Sequence, residues 1–259
     1  PPKLSARVRL MGNGRIDKTD PNDARSAAIV ALRNATLNTV GADSEHRVVL
    51  RLLADRYHQL TAQRTRSVCR LHAVLCLLIE GGTGRSLSTG RAVKLLAGVA
   101  IGDPIIAERV ATCRQFVTEL EALDQALVDI RARTVTAVDA SKTTVIDVYG
   151  VGPIGAAIIL GHSGDIRRFP TAGHYARHNG TAPLEASSGP KARHRLNPRG
   201  DRQINHAIHT AALTQIAHDH PGRVYYARKL AEGKTKKEAL RALKRRISDV
   251  IYRQLLADT

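Results

Sequence analysis

Val148-Tyr149-Gly150-Val151-Gly152-Pro153-Ile154-Gly155-Ala156-Ala157 reads as a tight Gly-Val-Gly turn between two helices, a helix-hairpin-helix. Glycines at 150 and 152 let backbone N–H groups come close to a phosphate, and Pro153 opens the following helix at a position where no N–H is needed. About thirty residues later, Ser187-Ser188-Gly189-Pro190-Lys191 sets two hydroxyls beside a flexible glycine, in a region crowded with Arg, Lys and His. A phosphate-contacting turn and a candidate nucleophile thus fall in one C-terminal module.

Composition supports a polyanionic partner. The chain of 259 residues carries a formal net charge of +17 with a pI near 10.5, far beyond what solubility requires. A hydrophobic fraction of 43% is enough to build cores, so this is a folded protein and not a basic tail. Trp is absent and aromatics make up only 3%, which argues against extended base stacking on single strands and for phosphate contact. Cys69, Cys76 and Cys113 fall at apolar-face positions, with no CxxC and no histidine pattern for zinc, and are expected to be buried thiols of a reducing compartment. No apolar run reaches membrane-spanning length and no signal peptide is visible, so a cytoplasmic, nucleoid-associated protein is expected. The chain opens Pro1-Pro2-Lys3 without Met, as a fragment or processed product does.

The expected fold class is mainly α. Ala6-Arg7-Val8-Arg9-Leu10 alternates apolar and basic residues as a short strand would, and Lys18-Thr19-Asp20-Pro21-Asn22-Asp23-Ala24 opens a helix running through Leu32. Residues 45 to 80 carry Val49, Leu53, Leu60, Val68, Leu71, Leu75 and Leu78 at helical steps, until Gly81-Gly82-Thr83-Gly84 breaks the run. After Asp103-Pro104, Ile106, Val110, Cys113, Val117, Leu120, Leu123, Leu127 and Ile130 step by threes and fours without a gap. Two such helices either pack on each other within one chain or form a dimerisation arm. Residues 143 to 259 form a mostly helical module, with helices expected at about 200–218 and 235–256.

Each candidate site has an ordinary alternative. Asp20 and Asp23 share one side of a helix start, which suits a divalent cation and equally suits capping and the helix dipole. Ser187 and Ser188 suit a nucleophile or a polar turn, and Lys191, Arg193, His194, Arg195 and Arg199 add charge for a phosphate. His206 and His209 lie on one helix face without a third ligand, which favours packing or phosphate contact over a metal. Arg241, Lys244 and Arg245 belong to a basic amphipathic helix with Lys234, Lys236, Lys237 and Arg246, interleaved with Leu240, Leu243, Ile247, Val250 and Ile251. That pattern reads as one buried face and one nucleic-acid-facing basic face. Gly81 to Gly84 lacks the Lys-Ser/Thr ending of a P-loop.

Taken in order, the Lys18–Ala24 stretch, Tyr149-Gly150-Val151-Gly152-Pro153, Phe169-Pro170, Ser188-Gly189 with Lys191, and Asn197-Pro198-Arg199-Gly200-Asp201-Arg202-Gln203-Ile204-Asn205 resemble the IS110/IS1111-type insertion-sequence transposases, also called DEDD recombinases. The resemblance spans nearly the whole chain. It implies the end of a RuvC-like, RNase H-type α/β domain over residues 1–42 and a helical hairpin or coiled-coil connector over 43–140. It further implies a C-terminal transposase domain over 141–259 that holds the helix-hairpin-helix and the serine loop. It implies four catalytic acids plus a serine, with Asp20 and Asp23 as the third and fourth acids, Ser188 as the serine and Ser187 as its fallback. The carboxylates would hold Mg2+ or Mn2+. DNA would be cut and rejoined through a serine–phosphodiester, with Gly150, Gly152, Lys191, Arg193, Arg199, Arg241, Lys244 and Arg245 contacting it. Implied partners are double-stranded DNA, a structured guide RNA and further copies of the chain in a homo-oligomer, with no membrane. The family's first two acids belong to upstream strands, yet only nineteen residues precede Asp20 and Asp17 is too near to serve. The expectation is therefore an N-terminally truncated transposase holding half of its acidic set. The rival readings are a non-catalytic helix-hairpin-helix DNA-binding protein or inactive copy, and a metal nuclease in which the serine has no covalent role.

Overall fold

The computed structural model describes residues 2–11, 19–33, 44–84, 87–185, 194, 195, 197 and 200–259. Among them the chain is mainly helical, and it divides into two compact units, Pro1–Ala42 and Asp43–Thr259.

The first unit pairs α1 (Pro2–Met11) with α2 (Asp20–Arg33). The strand expected at Ala6–Leu10 is instead the body of α1. Its residues alternate in polarity, but Leu4, Val8 and Met11 also repeat at helical spacing, and Ala, Arg and Leu are strong helix formers. Asp23 on α2 pairs with the Arg9 guanidinium of α1. Ser26 and Val30 are buried along the same helix. No strand occurs among the described residues of this unit, so its helices carry no sign of a RuvC-like sheet.

The second unit is built on two long antiparallel helices, α3 (Glu45–Leu75) and α5 (Pro104–Ala140). Asp103 starts α5 by accepting the N–H groups of Ile105 and Ile106 at 2.8 and 2.9 Å, ahead of Pro104. At 37 residues this helix is about 55 Å long. Arg64 pairs with Asp124, and Arg131 donates to the Tyr57 hydroxyl at 3.2 Å, fixing the antiparallel register. At the tip, α4 (Thr89–Ala97), which periodicity did not reveal, adds Ala92 and Leu96 to a core of Leu71, Leu75, Val110, Cys113, Val117 and Leu120. α3 stops at Leu75, and turns carry the chain on through Gly81. Cys76, just past the end of α3, and Cys69, on an exposed side of that helix, both sit on the surface, contrary to expectation, while Cys113 is buried and its thiol pKa is pushed up by that burial.

At the other end of the hairpin, Leu50, Ala54 and Val138 enter the core of the C-terminal module. A 3-10 turn at Thr144–Asp147 leads into α6 (Pro153–Ser163), which buries Ala156, Ala157, Ile158 and Ile159. Apolar on nearly every side, α6 is the central helix of the module. Around it follow α7 (Ala172–His178), the two-residue antiparallel strands β1 (Leu184–Glu185) and β2 (His194–Arg195), α8 (Arg202–Ala217), α9 (Pro221–Ala231) and α10 (Lys236–Ala257). The Asp258 carboxylate returns to accept both hydroxyls of Thr143 and Thr144 at 2.7 and 2.8 Å, closing the module on itself. The glycine turn is thus flanked by a single 3-10 turn on one side and an α-helix on the other, and not by two α-helices. No helix among the described residues is long and apolar enough to cross a membrane.

Candidate nucleic-acid interface

The two glycines expected to approach a phosphate face opposite ways. Gly150 adopts φ +89°, and a Cβ there would lie 2.8 Å from the Ala211 carbonyl oxygen and 2.9 Å from its Cα. Its lack of a side chain is required by α8. Gln215 on the same helix donates to the Tyr149 carbonyl at 2.9 Å and pins the turn. Gly152, by contrast, is exposed, and a Cβ there would meet nothing within 4 Å. It caps α6 without any side-chain hydrogen bond. The N–H groups of Ile154 and Gly155, in the first turn of α6, therefore have no intrahelical partner.

The cations of α10 divide likewise. Arg241 is half-exposed, with Glu238 at 4.0 Å. Arg245 pairs with Asp249 and reaches the Ala172 carbonyl, which ties α10 to α7. Lys244, expected on the basic outer face, is 7% exposed and donates to Asn205 Oδ1 at 2.6 Å. The reason is helical phase: Lys244 falls between Leu243 and Ile247 on the inward-turned side.

Asn205 belongs to a polar frame that joins α7, α8 and α10. It donates to the Asn179 carbonyl at 2.9 Å, and Asn179 donates to Ser248 Oγ at 2.8 Å while accepting from the Thr181 hydroxyl at 2.7 Å. Asn197 donates to the Arg177 carbonyl at 3.0 Å. Gly200 and Gly180 meet so closely that a Cβ on Gly200 would lie 2.3 Å from the Gly180 Cα. Asp201 caps α8 by accepting from Gln203 and Ile204, and accepts from or faces His162 Nδ1 at 3.1 Å. Burial works against its charge, but the hydrogen bonds from His162 and the two backbone N–H groups hold its carboxyl below the ordinary range. The same imidazole stands 3.6 Å from Asp55 of α3, which links the hairpin to the module. The Asn197–Asn205 stretch was visible in the sequence as a motif. Its role as a frame was not, because its partners lie 20 to 39 residues away.

Ser187, Ser188, Lys191, Arg193 and Arg199 lie outside the described residues. The flanking strands pair in antiparallel register, Leu184 opposite Arg195 and Glu185 opposite His194. His206 packs near His58, with ring centroids 6.3 Å apart, and the His209 pKa is lowered by burial and then by Lys244. Among the described residues no group of three or more His, Cys, Asp or Glu side chains is placed to hold a metal ion. Asp20 and Asp23 occupy the first turn of α2, and Asp23 is engaged by Arg9. They are hard oxygen donors of the type a divalent cation takes, but they do not by themselves complete a site.

Comparison with known proteins covers both ends of the chain. The family model of the IS116/IS110/IS902 transposases matches residues 143–227, and a transposase model of the DEDD IS110 type matches residues 1–79. A 43.6 kDa protein of insertion element IS110 from Streptomyces coelicolor is 39% identical over 107 residues, covering 41% of this chain and 26% of the relative. A 44.8 kDa protein of insertion element IS116 from Streptomyces clavuligerus is 25% identical over 283 residues, covering 92% of this chain and 71% of the relative. A 42 kDa protein of insertion element IS900 from Mycobacterium paratuberculosis is 27% identical over 284 residues, with the same coverage of each chain.

Proposed function

Because the chain belongs to the IS110 family of insertion-element transposases, we propose that it cuts and rejoins DNA through a covalent serine intermediate. Ser188 Oγ attacks a DNA phosphorus. An Oγ–P bond forms as the bond to one deoxyribose oxygen breaks, and that oxygen takes up a proton. A DNA hydroxyl later attacks the same phosphorus and releases the serine. Phosphodiester bonds are conserved in number, so no external energy source is needed. Ser187 is the fallback nucleophile. A Mg2+ or Mn2+ ion held by Asp20 and Asp23, with acids supplied by the remainder of the protein, would polarise phosphate oxygens.

The match of both transposase models, at residues 1–79 and 143–227, carries this reading. It is supported by the net charge of +17 and by the exposed, uncapped start of α6 at Gly152. Lys191, Arg193, Arg199, Arg241 and Arg245 join Gly152 as proposed DNA contacts. By family resemblance the partners are duplex DNA, a structured guide RNA and further copies of the chain, in the bacterial cytoplasm. The domain plan of 1–42, 43–140 and 141–259 is proposed with it.

The deciding experiment uses a protein extended to the length of its relatives and a nicked suicide substrate, resolved on a denaturing gel. A serine nucleophile leaves a protein–DNA adduct that survives denaturation, and Ser188→Ala removes it while Ser187→Ala keeps it. Cleavage without any adduct in the parent protein assigns a metal nuclease. Binding without cleavage assigns a non-catalytic DNA-binding protein.

A further inference from the structure

A cavity of about 300 Å3 opens where the segment Gly180–Pro183 faces α9 and α10. Lys244 lines it, with Ala182, Pro183, Ala242 and the Tyr225 ring giving an apolar wall. Lys234, Arg241, Arg245 and Arg246 add four more cations. Glu238 is the acid among the lining residues, and its carboxylate is already bound by the Thr235 N–H and hydroxyl at 2.9 and 2.7 Å.

Lys244 makes this more than a basic patch. An ammonium removed from water needs a counter-charge, and a neutral hydrogen-bond acceptor replaces only part of its hydration. Here the acceptor is the amide oxygen of Asn205, and no carboxylate among the described residues lies within 4.0 Å of Nζ. Burial, and then the Arg202 charge, bring its pKa from the ordinary value down to about 8. The fold therefore holds an incompletely compensated cation against an open cavity.

We propose that this cavity receives one nucleotide of a nucleic-acid strand, with its phosphate on Lys244 and Arg241 and its base against Tyr225 and Pro183. A volume of about 300 Å3 matches the small end of ligand pockets, and so one nucleotide and not a stack. The cations gathered round the Tyr225 ring, Arg228 at 5.1 Å and Arg246 at 5.7 Å from its centroid, suit an anionic neighbour. The cavity wall runs directly into β1, and Ser188 lies five residues beyond Pro183 in the chain. This inference rests on the transposase reading and adds to it a pocket for an unstacked nucleotide.

An anion on Lys244 would raise its pKa, so binding near pH 8 takes up about half a proton, and affinity falls as pH rises above that. The other charged or titratable groups around Lys244 are Arg202 and, about the cavity, Lys234, Arg241, Arg245, Arg246 and Tyr225. The His209 pKa is lowered below its ordinary value, and that of Glu238 is lowered by its bonds to Thr235.

The test uses the chain as it stands with two labelled probes, hexathymidylate and an abasic hexamer carrying the same phosphates. The wild-type protein should bind hexathymidylate roughly five- to tenfold more tightly, consistent with one base–aromatic contact. Calorimetry in two buffers at pH 8 should show proton uptake. Lys244→Met and, as a milder change, Arg241→Gln should erase the difference between the probes. Lys94→Gln on α4, which removes an equal charge elsewhere, should keep it. Hexauridylate as a third probe distinguishes the source: tighter binding than hexathymidylate assigns the occupant to RNA, weaker binding to DNA. Equal affinity for the base-bearing and abasic probes, or proton uptake that persists in Lys244→Met, overturns the proposal. If that happens while salt-sensitive duplex binding remains, only the cavity assignment fails. If no nucleic acid binds at all, the transposase reading fails with it.

Discussion

The α3–α5 hairpin and the C-terminal module use different materials. Beyond the base it shares with the module, the hairpin is held by apolar stripes: Leu71, Leu75, Val110, Cys113, Val117 and Leu120 at its tip, and Leu53, Leu60 and Ile130 midway. The module has an apolar centre too, but wraps it in buried polar groups, Asn179, Thr181, Asn197, Gln215, Lys244 and Ser248 among them. Buried polar groups cost free energy unless partnered, so they favour one arrangement over its near alternatives. The hairpin's apolar contacts are spread along its length. The module is a polar frame that pins the glycine turn against α8.

The largest expected effect tests that contrast directly. In the hairpin, losing stability requires removing bulk: Leu71→Ala, at a site with no exposure, should cost about 3 kcal/mol. In the module, adding one methyl should do comparable damage. Gly150→Ala combines positive φ with a clash against the Ala211 backbone at 2.8 Å, and should cost about 3 kcal/mol or more. Urea denaturation of both variants checks this. A Gly150→Ala protein within 1 kcal/mol of the parent would mean that the turn is free to move away from α8.

A smaller effect of opposite sign is expected at Lys244. Its folded pKa of about 8 lies below the ordinary 10.5. The unfolded chain therefore binds more protons between those values, and stability rises with pH across that window. Below pH 8 the full penalty applies, about 3 kcal/mol for a shift of about 2.5 units. Lys244→Met should remove that penalty and lose the bond to Asn205, worth about 1 kcal/mol. The net expectation is a gain of about 2 kcal/mol at pH 7 that vanishes and turns slightly negative above pH 10.5. Thermal melts across this range would show it, and a variant less stable than the parent at pH 7 would contradict it.

What the sequence made legible divides along the same line. The hairpin was readable because each helix declares its own buried stripe, and Asp103-Pro104 marks where α5 begins. The order of motifs was readable as a family resemblance. The inward turn of Lys244 and Gly150 was not, since what each meets there, Asn205 and Ala211, lies on α8, a helix at least 27 residues away from either. Short helices such as α4 and α7 were missed for a related reason. Within 9 and 7 residues a helical period barely completes two turns, and tertiary packing decides their conformation. At Ala6–Leu10 the alternation suggested a strand, and helix propensity prevailed.

The smallest expected change in stability falls at Gly152, two residues from the largest. Its backbone, φ −84° and ψ 177°, is one that β-branched residues adopt readily, and a Cβ meets open space. Gly152→Val should therefore leave the denaturation midpoint within about 0.5 kcal/mol of the parent. What it should alter is access: two methyls would stand in front of the free N–H groups at the start of α6, where a phosphate would sit. Duplex affinity should drop by about tenfold, the worth of one charge-assisted backbone contact. The dependence of affinity on salt should remain steep, because the cations are untouched. Titrating duplex DNA at 50 and 200 mM salt against both proteins separates these outcomes. Unchanged affinity in a folded Gly152→Val protein would remove the α6 start from the interface and leave the basic side chains as its sole carriers. A tenfold loss, beside a Gly150→Ala protein that fails by unfolding, would show that one Gly-Val-Gly turn divides its labour, one glycine serving the core and the other the ligand.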